Sequence, residues 1–173
     1  MSTDISEIAA KMIEFSDGNV FDINHFMKVH GFARLIGLGE GLGGYMLETL
    51  EIAALVHDIG IQRCREKYGS TNGRLQEKEG MALAREFLRQ FDLPSEQLAR
   101  IVYLVGHHHS YFVADGIDYQ ILLEADFITV AGESPKFVKH DVEEFAEAVF
   151  RTKTGLRLLR SMYRLEKTDG QNE

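Results

Sequence analysis

The stretch EIAALVHDIGI (Glu51–Ile61) places a histidine and an aspartate at the end of an otherwise apolar run. Read as a helix, Leu47, Leu50, Ala54, His57 and Ile61 follow three- and four-residue steps and share one face. His57 therefore points into the core. Asp58 follows it in surroundings where a carboxylate is costly unless a cation or hydrogen bonds compensate. Consecutive helical residues diverge by about 100°, so an adjacent pair does not ordinarily share a partner. A metal ion at the edge of that face, with Gly60 ending the helix just beyond, would accept both. The plainer reading is a core histidine satisfied by its neighbours.

The same anomaly recurs elsewhere. His25 lies on a stripe with Val29, Phe32 and Ile36, and Asp126 lies with Leu122, Thr129 and Val130 in ILLEADFITV. Leu98, Ile101, Val102 and Val105 continue onto His108, His109 and Phe112. Four helices each turn a histidine or aspartate inward, and imidazole with carboxylate suits divalent Zn, Mn, Fe, Co or Ni. His107 falls off that stripe. His30 and His140 read as structural or surface residues.

Working outward, the chain reads as helix almost throughout, so the fold class is all-α. The expected helices run from Ser6 to Phe15, Asp22 to Gly37, Tyr45 to Ile59, Gln76 to Phe91, Pro94 to His109 and Tyr119 to Val130. A last long one runs from Lys136 to about Leu165, with a break expected at Gly155. Residues 60–75 read as a basic connection containing Arg63, Arg65, Lys67 and Arg74 against one acid, Glu66. That is either a solvated loop or a positive lip beside His57 and Asp58. The tail EKTDGQNE after Leu165 reads as frayed.

The 173 residues, 45% of them hydrophobic and 27% charged, suit one folded domain spanning 1–173 and exclude disorder as a whole-chain answer. A formal charge of −8 argues against broad nucleic-acid or anionic-membrane binding. No apolar run reaches the length of a membrane helix. Cys64 is the only cysteine, so no disulfide forms within the chain. With no basic start and apolar stretch in MSTDISEIAAKM, the expected compartment is the cytoplasm. The long amphipathic last helix could support a homodimer.

The order His25, His57-Asp58, Asp126 resembles the HD-domain superfamily of metal-dependent phosphohydrolases. HFMKVHGFARLIG, EIAALVHDIGI and LLEADFI carry the resemblance, which covers about residues 22–133. It implies an HD-domain helical bundle of about six or seven helices, with residues 136–165 as a helical extension. It also implies a divalent metal held by His25, His57, Asp58 and Asp126. Some relatives hold a second metal through further histidines. His108 and His109 offer that here, but Gln76 stands near the place of another such histidine.

The resemblance implies hydrolysis of a phosphate ester, on a nucleotide or other small phosphorylated metabolite, by metal-activated water. Asp58 would be the catalytic residue, and Lys28, Arg63, His108 and His109 would contact substrate. Two other readings stay open: a metal- and nucleotide-binding regulatory module without turnover, and a two-iron oxygenase. Ile61, where some relatives carry an acid or a base, keeps the first of these open.

Overall fold

A computed structural model describes residues 4–165. Among them are nine α-helices and no strand: α1 (Ile5–Phe15), α2 (Val20–Gly39), α3 (Gly44–Val56), α4 (Ile61–Tyr68), α5 (Gly73–Leu88), α6 (Ser95–Val105), α7 (Ile117–Glu133), α8 (Lys139–Val149) and α9 (Lys153–Tyr163). The expected tail after Leu165 lies outside the described residues.

Two helices form the centre. From Thr49 to Val56 every residue of α3 is buried, and so is nearly every residue of α7 from Asp118 to Thr129. Helices apolar on all sides must be surrounded, and α3 is packed by α1, α2, α6 and α7. Glu51 lies in the middle of α3 with 3% exposure. Its carboxylate is satisfied from α2, by His30 Nε2 at 2.9 Å and by Arg34 Nη1 at 2.7 Å. His30 is thus a structural partner, as its sequence position implied.

The helix count exceeds six or seven for two physical reasons. Residues 60–75 are not a loop throughout, because α4 occupies their first half. Only Cys64 of that helix is buried, so it has no apolar stripe to betray it. Left-handed Gly69 (φ 60°) closes it. The second reason is that the final segment is divided into two helices, and the break falls at Phe150–Thr152 rather than at Gly155.

Glu124 of α7 causes that break. It is fully buried, and its Oε1 accepts from Arg151 N (2.7 Å), Thr152 N (3.0 Å) and Gln120 Nε2 (2.7 Å). The Thr152 hydroxyl donates to its other oxygen. Thr152 then caps α9 by accepting from Gly155 N at 2.9 Å. Gly155 falls inside the first turn of α9, where a Cβ would overlap Glu124 Oε2. The segment expected as one long helix with a break at Gly155 is two helices of 11 residues each. Val142, Ala146, Val149 and Leu159 are buried within this chain.

Replacing Glu124 with Ala would orphan one buried and one partly buried backbone donor and a buried hydroxyl. The expected loss is about 3 kcal/mol, read as a fall in melting temperature on the order of 10 °C. Calorimetry checks it, and a shift of a degree or two would show that the junction is held by other contacts.

Candidate metal centre

Beyond Val56 the chain tightens. Ile59 N donates to Val56 O (3.1 Å) and Ile61 N to Asp58 O (2.9 Å), so His57–Gly60 form turns linking α3 to α4. The doublet therefore sits just past a helix end, not within a helix running to Ile59. That is why neighbouring residues reach the same place. His57 Nδ1 donates to Ala54 O at 2.8 Å, which presents Nε2 to the interior.

Four side chains from three segments meet there. His25 Nε2 lies 3.2 Å from His57 Nε2, 3.3 Å from Asp58 Oδ2 and 3.2 Å from Asp126 Oδ1. His57 Nε2 lies 3.5 Å from Asp58 Oδ2 and 3.6 Å from Asp126 Oδ1. Bonds of about 2.1 Å to one cation would separate neighbouring donors by about 3.0 Å in an octahedron and about 3.4 Å in a tetrahedron. The observed spacings are of that size, and two imidazoles with two carboxylates are a borderline donor set. The residues fit a divalent transition metal.

Asp58 also faces the other way. Its Oδ1 lies 3.2 Å from His108 Nε2, and His108 Nδ1 donates to Val105 O at 2.8 Å. Asp58, His108 and His109 offer donor atoms all within 4.8 Å of one another. His108 and His109 lie past the end of α6, in the turn that follows Val105. His109 Nε2 is 3.4 Å from Gln76 Oε1, while the Gln76 amide donates to Thr71 O at 2.6 Å. The position flagged in the sequence is thus filled by a neutral amide. His107 stacks instead on Tyr103, with ring centroids 4.1 Å apart.

The cluster is electrostatically self-consistent. Burial pushes the Asp58 carboxyl up, but His57, His108 and His25 outweigh it and hold it well below the carboxylate range. Asp126 is depressed in the same way, with His25 and His57 overcoming burial. Burial opposes the charge on His25, yet Asp126, Asp58 and Glu133 raise it to about 10. Burial and the neighbouring His108 lower His109 to about 4, so it stays neutral. The Asp58 side chain is 18% exposed against 0% for His57 and His108, so the centre meets solvent on its Asp58 side.

The two cations named from the sequence lie elsewhere. Lys28 Nζ is 2.8 Å from Glu133 Oε1. Arg63 is exposed and lines a separate cleft of about 420 Å³ with Phe15, Ile59, Leu83 and Phe87, among whose lining residues none of the cluster appears. Of the other basic residues on α4, Arg65 pairs with Asp22 through both terminal nitrogens and Lys67 pairs with Glu79 at 2.9 Å. Sequence reasoning missed Glu133, whose Oε2 lies 2.7 Å from His25 Nδ1. The available signal was its spacing of seven from Asp126, two turns along one helix face.

Residues 22–154 match the family model of the HD domain. The chain belongs to the HD domain family. The match continues past the expected boundary at 133, through α8 to the start of α9. The crystal structure of a predicted HD superfamily hydrolase from an uncultured Thermotogales bacterium is similar in fold. It is 22% identical with a TM-score of 0.64, and the alignment covers 92% of this chain and 83% of that one. Comparison with the curated proteins gives no match. No helix among the described residues is long and apolar enough to cross a membrane.

The glycine that follows the doublet in this HD protein has a steric reason. A Cβ on Gly60 would lie 2.7 Å from Gly80 N and 2.9 Å from Gln76 O, so α5 rests backbone to backbone on the turn. Gly60→Ala must push α5 away and should cost about 2 kcal/mol, within the range for overpacking. Chemical denaturation measures this, and an unchanged midpoint would contradict the close approach.

Proposed function

We propose that this HD protein is a metal-dependent phosphohydrolase acting on a nucleotide or other small phosphorylated metabolite. The observation that supports it most is the spacing of His25, His57, Asp58 and Asp126, whose donor atoms lie 3.2–3.6 Å apart in the pairs described. These four are the proposed ligands of a divalent cation such as Mn, Fe, Co, Ni or Zn. A cation bound there supplies Lewis acidity, acidifying water and polarising a phosphoryl oxygen.

The chain's own residues do the rest. Asp58 is the proposed catalytic residue: it is the most exposed of the four, and its carboxylate can accept a hydrogen bond from the attacking water and fix its direction. His109, neutral and beside Asp58, can donate to a phosphoryl oxygen. His108 lies on the same side and shares either that contact or a second cation. Lys28 is engaged by Glu133 and Arg63 opens on another cleft, so the phosphate contact is assigned to the two histidines first. Gln76 beside His109 leaves the second group with two imidazoles and the shared Asp58, which favours hydrolysis over a two-iron oxygenase.

The test is a chelator-stripped protein reloaded with each metal in turn and assayed on nucleoside mono-, di- and triphosphates and cyclic nucleotides. Turnover of one class, lost after stripping and restored by one metal, is the expected result. Tight binding of a nucleotide with no turnover would instead support a regulatory module. Asp58→Ala should lose both metal and activity while its circular dichroism remains helical. Stoichiometric metal in that variant would overturn the ligand assignment.

A further inference from the structure

The histidines of the cluster need one ring nitrogen held so that the other is presented. For His57 and His108 this is local, because Nδ1 of each donates to a carbonyl three residues back, Ala54 O and Val105 O. Those carbonyls belong to the last turns of α3 and α6, where the helix leaves acceptors over. His25 has no such resource. It lies within α2 (Val20–Gly39), where backbone carbonyls are engaged by the helix itself.

Glu133 supplies what the backbone does not. It is the last residue of α7, two turns beyond Asp126, so both carboxylates lie along one face of that helix. The imidazole of His25 fits between them, Nε2 3.2 Å from Asp126 Oδ1 and Nδ1 2.7 Å from Glu133 Oε2. The other oxygen of Glu133 accepts from Lys28 Nζ at 2.8 Å. Lys28 is three residues after His25, on the same side of α2. The side chains of His25 and Glu133 are 9% and 12% exposed, so their contact is sheltered, whereas Lys28 reaches Glu133 from the exposed side.

We infer that Glu133 is the positioning residue of His25, holding its Nδ1–H and ring plane so that Nε2 faces the cluster, with Lys28 steadying the carboxylate. This rests on the metal-binding reading above. A carboxylate behind a ligating imidazole sets its tautomer and raises the basicity of the ligating nitrogen. It also gives Lys28 a task within the protein and not on the substrate. The competing account is that Lys28 and Glu133 merely tie α2 to α7.

Titration of the stripped protein with Co²⁺ against a chromophoric chelator separates the two accounts, with thermal unfolding on the same samples. Glu133→Ala should weaken Co²⁺ binding by about 10- to 100-fold. Glu133→Gln, whose amide oxygen accepts the same Nδ1–H, should recover part of that loss and remains informative if the alanine variant fails to fold. Lys28→Met should weaken binding less than Glu133→Ala does. The inference is overturned if folded Glu133→Ala binds Co²⁺ as tightly as the unaltered protein, or, where the alanine variant does not fold, if Glu133→Gln does. It is also overturned if Lys28→Met and Glu133→Ala lose equal affinity in step with equal losses of stability. Failure of the unaltered protein to bind Co²⁺, or binding that survives His57→Ala, would defeat the metal site itself and this inference with it.

Discussion

Two carboxylates, Asp58 and Asp126, are held beside the same pair of imidazoles inside a helical bundle. An apolar interior does not accept such groups singly. Each must face a donor or a cation from every side, and this dictates where the surrounding helices stop. α3 ends at Val56 so that both members of the doublet turn inward. α6 ends at Val105, leaving the following turn to carry His108 back to Asp58. α7 runs unbroken from the core to Glu133, so one helix faces both sides of His25.

The same rule governs the rest of the core. Glu51 and Glu124 are buried acids outside the cluster, each on one of the two central helices. Glu51 is met by two side chains of α2, and Glu124 by two backbone amides and two side chains at a helix junction. Neither is a site. They show how the bundle uses a buried acid when nothing needs to bind: every oxygen is taken by the protein. Asp58 differs because one edge remains open to solvent.

Much of this was legible in the sequence because the departure from pattern was large. A histidine or aspartate on an apolar stripe is conspicuous, and His25, His57, Asp126 and His108 were each found that way. Asp58 was legible only as the neighbour of His57, since its helical direction argued against it until the helix was seen to end. α4 was illegible because a short helix burying only Cys64 has the composition of a loop. Glu133 was missed because the helix carrying Asp126 was expected to end at Val130, which concealed their spacing of seven on one face. Its partners, His25 and Lys28, lie 108 and 105 residues away in the chain. Contacts across such separations leave no periodicity. The break before α9 was assigned to Gly155 by residue type, whereas a buried acid on another helix decides it.

The Glu124 junction also sets how far the chain can be trimmed. A fragment cut at 133, where the recognisable motif ends, would keep every residue of the cluster. It would also leave the carboxylate of Glu124, in the helix that carries Asp126, with Gln120 but without both backbone amides and the hydroxyl that it accepts from. The smallest self-sufficient unit therefore has to reach past Thr152, which supplies both the amide and the hydroxyl that Glu124 accepts. Helices α8 and α9 are in that sense the closing piece of the fold and not an appendage, although neither contributes an atom to the centre.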